Sequence, residues 1–472
     1  MLDRGFLVQF PEASLREAER AGEPRLDGIA RKDLTGWLWS SIDNDDSRDL
    51  DQIEFVRKED GGTRVFVGIA DVDGFVPAAS STDGAARTNT TSIYTGVQTF
   101  PMLPERYSTH LTSLNEGEKR LAVVAELFVA ADGAVKDTSV YPALVLNRAR
   151  LTYNAVAAWL EGRGDVSGGA AERIRRDPAL QEQLRLQDGA AQALRNRRHE
   201  AGALTLHTAE FRPTVSPDGQ IHMDVREPNR AAQLIEDFMI AANQVTAGFL
   251  EGRGFPSLRR VVRTPKQWDR IVELAARQGG DLPKEPDARS LEGFLQKRRR
   301  ESPETFQDLS LSIIKLLGRG EYCVQGPGEK PLGHFGLAVQ GYAHSTAPNR
   351  RYPDLFTQRL LKAAFLGRKS PASPEDMATL ATHCTAKEDD ANKVERLVRK
   401  CLAAVMMEPR LGETFDGLVT GAGEKGTWVR LSHPPVEGRV LGDTGKLGVG
   451  DAVRVRLQST NPWKGHIDFT LL

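Results

Sequence analysis

At 472 residues, 40% hydrophobic and 27% charged, the chain is long enough for one large core and one or two small domains. A formal net charge of −1 excludes polyanion binding by overall charge, so any nucleic-acid partner has to meet a locally basic groove. Three cysteines (Cys323, Cys384, Cys401) are too few and too scattered for a disulfide framework or a zinc site, and they suit a reducing compartment.

The N-terminus, Met-Leu-Asp-Arg-Gly-Phe, lacks a signal pattern, and no later apolar run approaches a membrane span. A cytoplasmic protein that does not engage membranes is expected. Residues 1–35 read as a short helical segment, with Ser14-Leu-Arg-Glu17 as a capping box and Gly22 as the stop. Five aspartates then fall between Asp43 and Asp51, with apolar residues only at Ile42, Leu50 and Ile53 over the stretch Ser41–Gln52 and just beyond. So many like charges repel, and a hard divalent cation supplies the missing counter-charge. The plain alternative is a solvated acidic loop. Two features argue for a site: Leu50 between Asp49 and Asp51 gives strand-like alternation, and Trp37-Leu38-Trp39 and Ile53 to Val56 flank the cluster with apolar residues.

From about 36 to 150 the chain is β-rich, with strands over 64–72, 121–129 and 140–145 and a turn at Asp132-Gly133. Residues 150–205 read as mostly helical, and 228–250 as a core helix in which Glu236 would be buried and need a partner. A strand follows at 259–265, then helices to about Leu317, and again from Leu355 to about Met407. Basic runs at 195–198, 259–260, 297–300 and 350–351 read as solvated helix faces or as a phosphate track. Past Pro409, five short Gly-separated strands suit an OB-fold barrel. The expected organisation is α+β: a helical segment at 1–35, a large mixed domain over 36–408 and a small barrel over 409–472.

The spacing Ser41-Ile42-Asp43, five residues, Asp49-Leu50-Asp51 closely resembles the catalytic signature of the ribonuclease II (RNB) family, which degrades RNA from its 3′ end. So does the segment ending Thr346-Ala-Pro-Asn-Arg350-Arg-Tyr-Pro-Asp354. The resemblance covers roughly residues 31–472, and residues 1–35 are too short to hold the cold-shock domains that begin other members. It implies a monomeric exoribonuclease that hydrolyses single-stranded RNA to 5′-mononucleotides. Asp43, Asp49 and Asp51 would hold Mg²⁺, with Mn²⁺ as the alternative, and Arg350 would stabilise the transition state. Tyr94, Tyr153 and Glu236 would position the last nucleotides, and Trp428 in the barrel would offer RNA a stacking face. Each tyrosine, and Trp428, reads equally as a packed side chain. Where the family can carry a stacking phenylalanine, this chain has Leu206 or His207.

One position departs from the signature: Gln52 stands where the family has a fourth aspartate. An amide oxygen ligates a cation without bringing charge. Either Asp45 or Asp46 compensates, or the site runs on fewer metals, or catalysis is slow. Two other readings stay open, a catalytically weak protein that binds RNA 3′ ends and a structural Ca²⁺ site in an unrelated enzyme.

Overall fold

The computed structural model describes residues 1–472 apart from 165–166, 207–209, 216–220, 227–228, 304, 424–425, 432, 446 and 449, and gives the backbone alone for 210–213, 215 and 222–226. In chain order the first elements are α1 (Glu12–Arg20), β1 (Lys32–Asp33), β2 (Trp39–Asp43), β3 (Gln52–Glu59), β4 (Gly62–Ala70) and α2 (Ser81–Asn89). They are followed by β5 (Ile93–Tyr94), β6 (Thr99–Phe100), β7 (Lys119–Ala130), β8 (Val135–Thr152), α3 (Tyr153–Leu160), α4 (Gly169–Arg176) and α5 (Pro178–Glu200). After the hairpin β9–β10 (Glu210–Val215, Ile221–Arg226) come α6 (Arg230–Gly252), β11 (Ser257–Val261), α7 (Trp268–Arg277), α8 (Ala288–Glu301) and α9 (Phe306–Leu317). Then come β12 (Glu321–Gln325), β13 (Gly333–His334), β14 (Val339–Gln340), α10 (Tyr352–Phe365) and α11 (Pro374–Met407). The last five strands are β15 (Thr414–Gly423), β16 (Gly426–Leu431), β17 (Glu437–Leu441), β18 (Ala452–Asn461) and β19 (His466–Leu471).

The central sheet runs β1-β8-β2-β3-β4-β7. Its long strand β8 pairs with β7 up to Leu146 and with β2 from Asn147 onward, so the sheet curls back on itself. Val65, Val67 and Ile69 of β4 and Val123 and Val129 of β7 are all buried, as their near-continuous apolar runs require. Trp39 is fully buried and donates its indole N–H to the Leu34 carbonyl at 3.0 Å. Around it Trp37, Phe55 and Phe66 form an aromatic cluster, with the Trp37 ring 4.7 Å from Phe66 and 4.8 Å from Phe55. Trp39 belongs to β2 and Phe55 to β3, so this layer holds together the strands that lead into and out of the acidic segment.

The expected capping box at Ser14 is not one. α1 begins two residues earlier, and Ser14 is buried inside it against the Ser81 hydroxyl. Glu17 instead caps α2, accepting the Ser81 and Thr82 backbone N–H groups at 2.8 Å each. Only Glu17 of the pair caps a helix, and that helix is the next one.

Helices α7–α9 pack around Trp268, Ile271, Phe294 and Ile313 as a core of their own, which the sequence pattern does not separate. Leu206 packs against this core, and His207 lies outside the described residues. The C-terminal strands close into a barrel, β15-β16-β17-β19-β18, in nearly the expected positions. At Gly438 a Cβ would stand 2.4 Å from the Phe469 ring, so the β17–β19 closure requires glycine there. Ala403, Ala404 and Met407 at the end of α11 enter the barrel core, so this helix ties the barrel to the large domain. Among the described residues no helix is long and apolar enough to cross a membrane, and the three cysteines are free.

Candidate active site

Residues 44–51 join β2 to β3, and the backbone around Leu50 is pinned on both sides. Its N–H donates to Ser113 Oγ at 3.0 Å, its carbonyl accepts the Leu114 N–H at 3.0 Å, and the Asp51 carbonyl accepts the Ala70 N–H at 2.9 Å. Leu50 is buried in the core, so the alternation of an extended chain turns Asp49 and Asp51 the other way. Both line a cavity of about 660 Å³, within the range of ligand pockets. Asp43, at the end of β2, lines the same cavity, and one of its oxygens accepts the Asn44 N–H and the Ser47 hydroxyl, both at 2.7 Å. Asp46 also lines it, whereas Asp45 is exposed and accepts a hydrogen bond from Asn154 at 3.1 Å.

Arg350 reaches the cavity from nearly 300 residues away, on a turn tethered along its whole length. The Ala347 carbonyl accepts the Arg350 and Arg351 N–H groups at 3.2 and 2.9 Å. The fully buried Asp354 accepts both the Ala347 N–H at 2.8 Å and the Arg351 guanidinium at 2.7 Å. Thr112 donates to the Asn349 amide oxygen at 2.5 Å, and the Arg350 carbonyl accepts the Ser92 N–H at 3.0 Å. The result joins the two distant segments directly: Asp51 accepts the Asn349 N–H at 3.0 Å and Arg350 Nε at 3.3 Å. The Arg350 side chain is 48% exposed and lines the cavity.

Burial dominates the electrostatics here. It lifts the Asp51 carboxyl to about 7, with Asp49 adding to the rise while Arg350 and the Asn349 N–H oppose it. Burial likewise raises Asp49 above the usual carboxylate range, against the pull of Arg350 and with the help of Asp43. The Tyr94 hydroxyl is pushed up to about 12 by burial and then by the charge of Asp49. Tyr153 is raised by burial and by Asp43 and Glu54. Glu54 itself is fully buried, neither carboxylate oxygen has a hydrogen-bond partner, and burial followed by the charge of Asp43 holds its carboxyl well above the usual range.

Of the residues singled out in the sequence, Asp43, Asp49, Asp51, Gln52, Tyr94, Tyr153 and Arg350 all line this one cavity. Two do not. Trp428 stands on the outer face of the barrel, half-buried over Gly421, while its neighbours Thr427 and Val429 point inward. Glu236 is exposed rather than buried; the buried acid of α6 is the next residue, Asp237, bonded to both Arg195 and Arg198. The other basic runs are largely committed to structure as well. Arg259 is buried and donates to the Ala247 carbonyl at 3.2 Å, Arg260 pairs with Glu388 at 2.7 Å and Arg351 with Asp354. Residues the sequence did not reveal complete the cavity: Ile235 and Met239 from α6, and Glu395 and Arg399 from α11. No local pattern distinguishes them from other helix positions.

The donor chemistry suits a hard divalent cation, because the carboxylates of Asp43, Asp46, Asp49 and Asp51 line the cavity. The side chains are not drawn into a ligand cage: among the described residues no group of three or more Asp, Glu, His or Cys has metal-ligand spacing.

A curled mixed sheet carrying acids at the mouth of a cavity, followed by a five-stranded barrel, defines a two-part architecture with a known relative. Residues 31–367 match the RNB domain, and residues 413–472 match the RNase II-type exonuclease C-terminal S1 domain. The chain belongs to the RNB family. Ribonuclease R of Escherichia coli (strain K12) is 30% identical over 480 residues, covering 94% of this chain and 57% of its own length. Ribonuclease R 1 of Lactococcus lactis is 28% identical, covering 98% of this chain and 59% of its own length. The chain thus spans somewhat over half the length of these relatives. Mycoplasma genitalium RNase R, solved with ribose-methylated single-stranded RNA, has the same fold with a TM-score of 0.89 at 22% identity, over 100% of this chain and 77% of that one. So has yeast Ssd1, described as a pseudonuclease, with a TM-score of 0.74 at 17% identity, over 97% of this chain and 57% of that one. The fold therefore houses proteins with and without nuclease activity, and the site has to decide.

Proposed function

We propose that the chain is a 3′→5′ exoribonuclease that hydrolyses single-stranded RNA to 5′-mononucleotides with the help of Mg²⁺ or Mn²⁺. One observation carries this: three aspartates, two tyrosines and Arg350, from well-separated parts of the chain, line one cavity in which Asp51 is bonded to Arg350. Family membership and the resemblance of the site motifs support the same reading. The hydrolytic reading rests on family membership, and a cavity that joins anionic oxygens to a guanidinium suits it.

Asp43, Asp49 and Asp51 would hold the cation, with Gln52 beside them. When bound, the cation would lower the pKa of a water molecule and neutralise phosphate charge. The protein's own groups do the rest. Arg350, its Nε held by Asp51, offers the remaining N–H donors of its planar fork to phosphate oxygens and stabilises charge that builds on them during cleavage. Tyr94 and Tyr153 present ring faces to the terminal bases, which fixes the scissile bond against the acids. Glu236, exposed on α6 one residue from the cavity-lining Ile235, would reach the ribose of a bound strand. Trp428 would meet RNA outside the cavity, on the barrel. We infer a monomer of the cytoplasm, in keeping with the three free cysteines.

The alternative, a 3′-end-binding protein with weak catalysis, is favoured by Gln52 alone. A 3′-tailed RNA labelled at its 5′ end, incubated with Mg²⁺ or Mn²⁺, separates the two. Stepwise shortening supports the exoribonuclease; full-length RNA retained in a tight complex supports the binder.

A further inference from the structure

Gln52 leaves the acidic wall one charge short; of the compensating acids expected from sequence, Asp45 is exposed on the loop, and Asp46 lines the cavity from a solvent-exposed position on the same loop. A different carboxylate occupies the right strand. Glu54 follows Gln52 by two residues on β3, so the two side chains share one face of the sheet, and Gln52 lines the cavity. Glu54 is fully buried, and neither of its oxygens has a hydrogen-bond partner. Its cross-strand neighbours are Ser40 on β2 and Val67 on β4, and neither brings a charge. Among the described residues no Lys, Arg or His pairs with it, although this chain pairs its other buried acids, Asp237 and Asp354, with arginines. An isolated buried carboxylate costs several kcal/mol, so an unpaired one calls for a partner such as a water molecule or an ion.

We propose that Glu54 is the fourth carboxylate of the cation site, supplying from two residues further along β3 the negative charge that Gln52 omits. This rests on the reading of the cavity as a cation-dependent site. It makes Gln52 and Glu54 a compensating pair: the charge is moved along one strand face, and the total is preserved.

The test is Mn²⁺ binding to the full chain without RNA, followed by electron paramagnetic resonance and by the rise in Tm on adding Mn²⁺. Glu54→Gln keeps the shape and removes the charge. It should weaken Mn²⁺ binding by about tenfold or more, raise the Tm of the metal-free protein, and abolish most of the Mn²⁺-dependent rise. A merely structural Glu54 would not move the metal-dependent readings. Adding Gln52→Asp to Glu54→Gln should restore binding to within about threefold of wild type, a recovery judged against the same outer-shell scale. Unchanged Mn²⁺ affinity in Glu54→Gln, with binding lost in Asp49→Asn, overturns the proposal while leaving the cation site intact. No Mn²⁺ binding by the wild-type chain overturns both. Should Glu54→Gln fail to fold, Gln52→Asp alone decides. A gain in affinity of about tenfold or more would show that the wild-type site lacks a fourth carboxylate and overturn the proposal; a smaller gain supports it.

Discussion

Two acidic clusters flank the same end of the β3–β4 pair, where Gln52 faces Ile69, and they are built on opposite principles. Just past β4, Asp71, Asp73 and Asp83 are matched by cations. Lys362 lies 2.8 Å from Asp71 and 3.1 Å from Asp73, and Arg359 lies 2.9 Å from Asp73 and 2.8 Å from Asp83. Arg25 and Arg31 add longer contacts at 3.8 Å, and Tyr352 donates to Asp83 at 2.9 Å. In the cavity, Asp43, Asp49 and Asp51 share a single ion pair among the described residues, that of Asp51 with Arg350, and the buried Glu54 on β3 has none. A carboxylate that only holds a fold together is neutralised in place. A set left under-compensated at a cavity wall keeps its attraction for something that arrives later.

The sharpest way to break this contrast is one substitution made at both clusters. Asp73→Asn should destabilise the fold by about 3–5 kcal/mol, because it takes one of two carboxylate partners from both buried cations, Arg359 and Lys362. Chemical denaturation would measure it, and a loss below about 1 kcal/mol would deny the cluster its structural role. Arg350→Ala should leave the fold intact but lower RNA hydrolysis on the order of 10²–10³-fold, read from single-turnover cleavage with saturating Mg²⁺. Intact activity would remove Arg350 from the chemistry.

Asp51→Asn should do the reverse of Asp73→Asn. The Asp51 carboxyl is raised from 3.8 to about 7, so the folded state holds this proton more tightly than the unfolded chain does. Stability is therefore lost as pH rises from about 4 to about 7, by about 1.4 kcal/mol for each pH unit crossed. The rise to about 7 already includes the opposing pull of Arg350. In metal-free solution at about pH 8, Asp51→Asn should be more stable than wild type by up to about 4 kcal/mol, with the difference vanishing near about pH 4. A variant less stable at the higher pH than at the lower, relative to wild type, would contradict the under-compensation. The smallest effect is expected from Tyr94→Ala, which should weaken binding of a 3′-tailed RNA about tenfold, the scale of one stacked base, with no change in Tm.

Much of the site is legible in the sequence because alternation is local. Asp49-Leu50-Asp51 announces its own geometry, with Leu50 in the core and both acids in the cavity. The barrel strands are equally readable, since Gly punctuation and period-two burial are properties of neighbouring residues. What fails depends on angle or on distance. Glu236 stands in an apolar stretch of α6, yet the buried acid is Asp237, which lies three residues past Leu234 and four before Ala241, both buried, and so shares their face. That signal is present in the spacing. Glu54 falls within an apolar strand, where its charge is the anomaly to notice. The basic runs mislead differently, because partners such as Asp237 for Arg195 and Glu388 for Arg260 lie far along the chain. Glu395 and Arg399 enter the cavity only through the placement of α11, which no short window of sequence encodes.

The central claim is that this cavity cuts RNA, and it is tested most directly by the product. Wild-type protein and Asp49→Asn, each matched for fold by circular dichroism, are given a 3′-tailed RNA and Mg²⁺, and the released nucleotides are separated by chromatography. Nucleoside 5′-monophosphates should accumulate as the RNA shortens with the wild-type protein, and should all but disappear with the variant. Undiminished release by Asp49→Asn, or an intact tail with wild type under every divalent ion tried, would contradict the account.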